Sequence, residues 1–241
     1  MQLEAVGKRF ANGYVALDGF SLALRPGQFT SLIGPSGCGK STVLNLMAGL
    51  SHPTSGRLDW GPAGKPDIGF VFQEPTLMPW ATVAQNVALP FTLTGRHAVM
   101  DGACEQHLAN VGLSGFANAY PRQLSGGMKM RASIARALAS RPALLLLDEP
   151  FGALDEITRF DLIDQLLALW LGQTFTTLFV THSITESVFM SQRVVVMGGK
   201  PGKVLADITI DEPYPRLPAF RAEARYAAWC GEVLEALRGA A

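Results

Sequence analysis

The stretch GPSGCGKS, residues 34–41, decides how this chain folds, because a strand-like segment precedes it and a helix-like segment follows it. Phe29 to Ile33 has the character of a short buried strand, and Ser41 to Leu50 carries apolar residues at helical spacing. In that setting the pattern G-x-x-x-x-G-K-[S/T] predicts a phosphate-binding loop, since glycines let successive backbone N–H groups curl around an anion. The following helix directs its positive dipole end at the same anion. An ordinary glycine-rich turn is the alternative.

Individual residues of this loop have separate predicted tasks. Lys40 is expected to reach the β and γ phosphates of ATP. Ser41 is expected to supply a hydroxyl ligand to Mg²⁺, and Thr42 to assist by hydrogen-bonding a phosphate. The other loop residues are expected to line the phosphate chain: Gly34, Pro35, Ser36, Gly37, Cys38 and Gly39.

A second element of the site is the run ALLLLDEP, in which Ala143 to Leu147 is fully apolar and directly precedes two carboxylates. Such a strand is expected in the middle of a sheet, buried on both faces. Asp148 at its end would hold Mg²⁺ through water, and Glu149 would polarise an attacking water. A strand ending in a solvated acidic turn is the alternative.

Length, charge and cysteine content restrict the class of protein. The 241 residues suit one domain with a small subdomain, and no linker or internal repeat divides them. Twenty basic and twenty acidic residues cancel, which argues against a nucleic-acid partner. Three cysteines, at 38, 104 and 230, indicate free thiols in a reducing compartment, and no apolar run or signal peptide indicates secretion or membrane insertion.

The first 25 residues predict antiparallel β structure. Short apolar and polar stretches alternate there, and the pairs Asn12-Gly13 and Pro26-Gly27 are turn signals. We therefore expect an antiparallel β-sheet to open the chain.

Four further motifs give the chain a family resemblance. LSGGM at 124–128 resembles the signature sequence of ABC ATPases, and it is accompanied by FVFQ at 70–73, ALD at 153–155 and VTH at 180–182. The resemblance covers essentially the whole chain. It implies an α/β fold with a P-loop NTPase (RecA-like) core, an N-terminal antiparallel β subdomain and an inserted α-helical subdomain.

The same resemblance implies roles for residues outside the phosphate loop. Ser125 and Gly127 would contact the γ phosphate held by a second copy of the chain, so that the working unit is a dimer. Gln73 would sense Mg²⁺ and the attacking water, and His182 would clamp the γ phosphate. Phe10 would stack on adenine, with a place in the hairpin core as its alternative.

The chain departs from the usual family pattern at three positions. Met130 replaces a glutamine, Ser183 an aspartate and Ser187 an alanine. None of these changes removes a catalytic group, so they bear on the rate of turnover and not on the reaction.

Three segments complete the predicted organisation of a single domain over residues 1–241. Residues 83–130 resemble the helical subdomain, and residues 216–241 are expected to form a closing helix, mainly from Pro218 to Arg238. The loop PTLMPWA at 75–81 exposes an apolar cluster that would receive a permease helix, unless the loop packs onto its own subdomain.

The sequences of several segments, QEPTLMPW and KPGKVLAD among them, resemble those of ATP-binding subunits of the nitrate, sulfonate, taurine and thiamine-precursor importers. This implies a peripheral protein on the cytoplasmic face of the cell membrane, with permease subunits and, indirectly, a substrate-binding protein as partners. The sequence leaves the solute open. Two other classes remain as alternatives: an ABC ATPase that acts on DNA or ribosomes, and a nucleotide-binding regulatory module without catalysis.

Overall fold

The computed structural model describes residues 1–95, 103–173 and 175–239. The chain divides into two compact units. The first unit comprises Met1–Pro66, Leu146–Glu149 and Thr174–Ala241, and the second comprises Asp67–Leu145 and Pro150–Gln173.

The first unit opens with a three-stranded antiparallel sheet. Strands β1 (Gln2–Arg9) and β2 (Val15–Ala23) form a hairpin, and β4 (Ser55–Asp59) pairs with the other edge of β1. The tight turn at residues 10–14 contains the Asn-Gly pair, and Phe10 N–H donates to the Tyr14 carbonyl at 2.9 Å. The predicted antiparallel opening is therefore confirmed.

The second sheet of the first unit carries the phosphate loop. Strand β3 (Phe29–Ile33) is parallel to both β7 (Thr176–Thr181) and β8 (Arg193–Gly198), and β9 (Lys203–Thr209) runs antiparallel to β8. All five residues of β3 are buried, as its sequence predicts. Ile33 is in register with Thr181, so the carboxyl ends of β3 and β7 lie side by side.

Strand β6 (Leu144–Asp148) is the predicted apolar strand, shifted by one residue. Its carboxyl half, from Leu146, belongs to the first unit and lies next to β7. The Glu149 N–H donates to the Val180 carbonyl at 2.9 Å, which places the end of β6 beside the end of β7.

Three α-helices lie in the described part of the first unit. Helix α1 (Lys40–Ala48) follows the phosphate loop, α6 (Ile184–Met190) follows His182, and α7 (Ala224–Arg238) is the last helix.

The prediction of one closing helix from Pro218 is wrong in detail. A 3-10 helix spans Pro218–Ala222, and Glu223 is extended, with φ −84° and ψ 147°, before α7 begins. The break lets Phe220 and Tyr226 both turn inward, with their ring centroids 5.1 Å apart.

The second unit is mainly helical. It contains β5 (Ile68–Val71), the amino half of β6, and α2 (Val83–Thr94), α3 (Ala103–Asn110), α4 (Gly126–Ala139) and α5 (Glu156–Gln173). In the predicted segment 83–130, α2, α3 and the start of α4 are joined by irregular chain with two 3-10 turns, at 114–116 and 121–123. Residues 96–102 lie outside the described part, and the boundaries of the subdomain stay a prediction. A cluster of buried residues forms the core of these helices: Val83, Val87, Phe91, Leu108, Val111, Leu113, Leu124, Ala132, Ala135 and Ala139. Among the described residues, no helix is both long enough and apolar enough to cross a bilayer.

Candidate nucleotide site

Glycines shape the loop between β3 and α1 for steric reasons that the structure makes explicit. Gly37 and Gly39 have φ angles of +78° and +99°, in the left-handed region that side chains disfavour. A Cβ atom on Gly39 would also lie 3.0 Å from Leu17 and 3.1 Å from the Ala16 carbonyl oxygen. Gly39 has no side chain to cap α1, so the N–H groups of the first helical turn remain available to an anion.

Lys40 lies folded against the inner side of this loop. Its side chain is 6% exposed, and Nζ donates to the carbonyl oxygens of Gly34 at 2.9 Å and Pro35 at 3.1 Å. Nζ also lies 4.0 Å from Glu149 Oε1. The lysine and the proposed base therefore share one small region at the ends of β3 and β6.

Ser41 and Asp148 form a pair of oxygen ligands next to Lys40. The Ser41 hydroxyl donates to Asp148 Oδ1 at 3.3 Å. Burial raises the pKa of Asp148 above its usual value, against the lowering effect of the Ser41 hydrogen bond, and the neighbouring Glu149 charge raises it further.

This donor set fits Mg²⁺. The described residues contain no group of three His, Cys, Asp or Glu side chains that would hold a metal ion by themselves. Magnesium is usually held by one or two protein oxygens together with waters and substrate phosphates. The Ser41 hydroxyl and the Asp148 carboxylate supply protein oxygens of that kind.

Glu149 and His182 come together at the ends of β6 and β7. Glu149 Oε2 lies 3.2 Å from His182 Nδ1, and the two side chains are 21% and 64% exposed. Glu149 has a φ of +45°, an uncommon left-handed backbone for a side chain of this size. The contact with His182 and the partial burial of Glu149 argue against a merely solvated acidic turn. The direct contact was not predicted from the sequence, which placed both residues near the γ phosphate without pairing them.

Phe10 is an exposed aromatic residue at the turn of the first hairpin. It is 42% exposed, which contradicts the alternative place in the hairpin core. Its ring stacks on Tyr14, with 6.3 Å between centroids and 21° between planes. The Tyr14 hydroxyl donates to the Gly37 carbonyl at 3.2 Å and so ties this turn to the phosphate loop. Sequence reasoning missed Tyr14, although an aromatic residue at each end of an Asn-Gly turn is a usable signal.

The remaining predicted site residues belong to the second unit. Ser125 is the N-cap of α4, and its Oγ accepts from the Met128 N–H at 3.2 Å, so it opens a 14-residue helix and not an isolated turn. A Cβ on Gly127 would lie 2.6 Å from the Thr158 methyl carbon. Gln73 is exposed two residues after the end of β5.

The three departures from the family pattern have structural roles. Met130 is 3% exposed within α4. Ser183 is the N-cap of α6, where its Oγ accepts from the Glu186 N–H at 3.3 Å, and the Ser187 hydroxyl donates to the Ile184 carbonyl at 2.8 Å.

The first unit therefore collects a phosphate cradle, a buried lysine, two oxygen ligands and a carboxylate–histidine pair. A phosphate chain on the cradle would meet a positive charge from Lys40 and the helix dipole of α1. The Glu149 carboxylate would face a water that attacks the terminal phosphate. Such a set suits hydrolysis of a nucleoside triphosphate.

Comparison with known proteins gives the same result. Residues 17–152 match the sequence profile of the family described as ABC transporter. An aliphatic sulfonates import ATP-binding protein, SsuB 1 of Pseudomonas syringae pv. syringae (strain B728a), is 46% identical over 216 residues, which cover 90% of this chain and 88% of that protein.

Two solved structures have the same fold. The dimeric post-hydrolysis state of the ATP-binding cassette MJ0796 with ADP and Pi is 33% identical, with a TM-score of 0.76 over 88% of this chain and 99% of that one. The structure of cbiO1 from Clostridium perfringens, part of the ABC transporter complex cbiONQ, is 26% identical, with a TM-score of 0.76 over 97% of this chain and 98% of that one. The chain belongs to the ABC transporter family, as one of its ATP-binding, ATP-hydrolysing proteins.

Proposed function

We propose that residues 34–42 hold the phosphates of ATP and that hydrolysis there energises a membrane importer of a small solute. The observation that carries the proposal is the convergence of Lys40, Asp148, Glu149 and His182 at the ends of three neighbouring strands. Each of these residues has a contact that suits its task. A regulatory module without catalysis would not need the Glu149–His182 pair.

The reaction assigned to this site is in-line attack of water on the γ phosphorus. The water oxygen forms a bond to phosphorus, the bond from phosphorus to the β–γ bridging oxygen breaks, and Glu149 accepts the proton of the water. Lys40 stabilises the charge on the phosphates, and His182 holds Glu149 in place through the 3.2 Å contact. Mg²⁺ bound by Ser41 and Asp148 would neutralise phosphate charge, and Gln73 stays assigned to the metal and the water. Phe10 is assigned to the adenine ring, with its exposed face as support.

A second copy of the chain is the proposed partner at this site. Ser125 and Gly127 start α4, where a hydroxyl and backbone N–H groups at a helix N-terminus suit an anion. The dimeric MJ0796 cassette supports this pairing.

Membrane permease subunits are the second proposed partner, reached through the loop at residues 75–81. Trp80 is 75% exposed and Pro79 is exposed, whereas Leu77 packs against the core of the helical unit. The exposed half of the loop is a candidate docking surface for an apolar helix. Membership of cbiO1 in a transporter complex supports such an arrangement. In it, this chain would lie on the cytoplasmic face of the membrane.

Within the group of nitrate, sulfonate, taurine and thiamine-precursor importers, the relative SsuB 1 favours an aliphatic sulfonate as the solute. The permease and a separate binding protein would select that solute. The solute is identified by measuring uptake of labelled sulfonate, taurine, nitrate and a thiamine precursor in a deletion strain. The strain complemented with the wild-type gene should regain uptake of one of these compounds. The strain complemented with Lys40→Ala should regain uptake of none of them.

The transport assignment is tested by affinity purification from detergent-solubilised membranes of the source organism. The wild type should copurify with a polytopic membrane protein, and Trp80→Asp should lose it while keeping ATPase activity. Leu93→Asp is the matched control, because Leu93 is 76% exposed on α2 of the same unit. Copurification of ribosomes or DNA-bound proteins in place of a membrane subunit would instead support the non-transport alternative.

A further inference from the structure

The turn between β8 and β9, residues 199–202, is packed against the phosphate loop. The Gly202 N–H donates to the Ala16 carbonyl at 2.9 Å, and a Cβ on Gly202 would overlap the Cys38 carbonyl oxygen. On the strand before the turn, the Met197 carbonyl oxygen would lie 2.4 Å from a Cβ on Gly34. This turn is therefore fixed along the outer side of the phosphate loop. It includes the first three residues of the segment KPGKVLAD, none of which has an assigned role in the nucleotide site.

Lys200 extends from this turn across Gly37. A Cβ on Gly37 would lie 3.7 Å from Lys200 Cε and 3.8 Å from Nζ, and no other atom outside the neighbouring residues comes within 4 Å of that point. Across the part of the chain that the structure describes, no carboxylate pairs with this ammonium group. Its charge is therefore not neutralised by the protein.

Two lysines thus reach the same loop from different sides. Lys40 bonds the carbonyls of Gly34 and Pro35 and lies close to Glu149, on the side assigned to the γ phosphate. Lys200 lies over Gly37, whose carbonyl accepts from Tyr14, the ring partner of Phe10. The residue beneath Lys200 is therefore the one that Tyr14 ties to the aromatic residue assigned to adenine. The positive charges of both lysines also lower the pKa of the Cys38 thiol, although burial raises it by more.

We propose that Lys200 is a second phosphate-binding lysine, which contacts the α and β phosphates common to ATP and ADP. The inference rests on the proposed binding of ATP by residues 34–42. An exposed ammonium on a long, flexible stem suits a multiply charged anion as a point charge. Because the group is solvated, its contribution is modest and sensitive to salt.

The test compares three variants that separate charge from packing. Lys200→Met keeps an unbranched stem over Gly37 and removes the charge, and Lys200→Arg restores a charge. Lys203→Met is the matched control, since Lys203 is exposed at the start of β9 in the same hairpin. Dissociation constants for ATP, ADP and adenosine are measured by displacement of a fluorescent nucleotide at about 0.05 M and 0.5 M salt, where the screening length falls to a few ångströms.

Lys200→Met is expected to weaken ATP and ADP binding by about three- to tenfold at low salt, with a smaller difference at high salt. Adenosine binding should not change, Lys200→Arg should bind within about twofold of the wild type, and Lys203→Met should match it. The KM for ATP should rise while kcat stays constant.

Unchanged ATP and ADP affinity in Lys200→Met would overturn the inference, and so would a loss that extends equally to adenosine. Measuring ATP binding by Lys40→Ala in parallel distinguishes a failure of this inference from a failure of the proposed ATP site. If Lys40→Ala loses ATP binding while Lys200→Met does not, the ATP site stands and the role of Lys200 is wrong.

Discussion

Asp148 and Glu149 are adjacent carboxylates in different surroundings at the end of β6. Asp148 accepts a hydrogen bond from Ser41 and is partly buried, whereas Glu149 turns through a left-handed backbone to meet His182. Environment, and not residue type, is therefore the basis on which we assign the metal to Asp148 and the attacking water to Glu149. The sequence predicts this division, because a buried strand must end with its polar residues at the sheet edge. The positive φ of Glu149 and its pairing with His182 depend on β7, so no local pattern contains them.

The burial of Asp148 predicts a trade between stability and function. Its raised pKa means that the charged form is less favourable in the folded protein than in the unfolded chain. Stability is therefore fully present below the ordinary aspartate pKa and is lost as the pH rises through the raised pKa. Asp148→Asn keeps an oxygen for the Ser41 hydroxyl and removes the charge. We expect its Tm at pH 7, without nucleotide, to rise by about 2 °C while Mg²⁺-dependent ATP hydrolysis falls at least about 100-fold.

Calorimetry over a pH series is the measurement for Asp148→Asn, with Asp155→Asn as control. Hydrogen bonds from Thr158 lower the pKa of the exposed Asp155, so its charge is stabilised in the folded protein and its removal should give no gain. A Tm for Asp148→Asn at or below the wild-type value would show that the charged Asp148 carboxylate does not destabilise the folded protein.

At the scale of elements, strands were easier to predict than the contacts that hold helices. The burial of β3 and the hairpin of β1 and β2 follow from local patterns. Helix α6 is different, because Arg216, 5% exposed, donates to the carbonyls of Val188 at 2.6 Å and Ser191 at 2.8 Å. A buried arginine that satisfies the end of a helix 25 residues earlier is a tertiary contact, and neither spacing nor periodicity reveals it.

Ser125 combines a structural role in α4 with the proposed contact to the nucleotide of the second copy, and substitution separates the two. Ser125→Ala removes the N-cap and should lower stability by about 1 kcal/mol. Ser125→Asp keeps a capping oxygen and suits the helix dipole, so its Tm should equal or exceed that of the wild type. Its negative charge would repel a γ phosphate, so ATP hydrolysis should fall more than about tenfold.

Thermal melts and steady-state ATPase rates check the Ser125 series. Thr82→Asp is the control in the same unit, because Thr82 caps α2 by accepting from the Gln85 N–H at 3.2 Å and has no proposed nucleotide contact. Full hydrolysis by Ser125→Asp would rule out a γ-phosphate contact at this position.

At the scale of the whole molecule, the charge balance is compatible with self-association. Twenty basic and twenty acidic residues leave no net charge to hold two copies apart. One fold serves many functions, so the fold alone determines neither the solute nor the membrane partner. The zero net charge of the chain argues against a nucleic-acid partner, but it does not indicate which other partner the chain has.

Glu149→Gln tests the shared site on the scale of the assembly. The amide keeps the shape of the side chain and removes the proton acceptor, so ATP should bind while hydrolysis falls by at least about 100-fold, the range of a general base. If Ser125 and Gly127 of a second copy complete the site, unhydrolysed ATP should hold two chains together. Light scattering during gel filtration with Mg-ATP should then give twice 25.8 kDa for Glu149→Gln and the single mass with ADP.

The double variants Glu149→Gln/Ser125→Asp and Glu149→Gln/Lys40→Ala should stay at the single mass, because one lacks the contact from the second copy and the other lacks bound nucleotide. A single mass for Glu149→Gln with bound ATP would contradict the shared site, and substantial hydrolysis would contradict the assignment of Glu149 as the base.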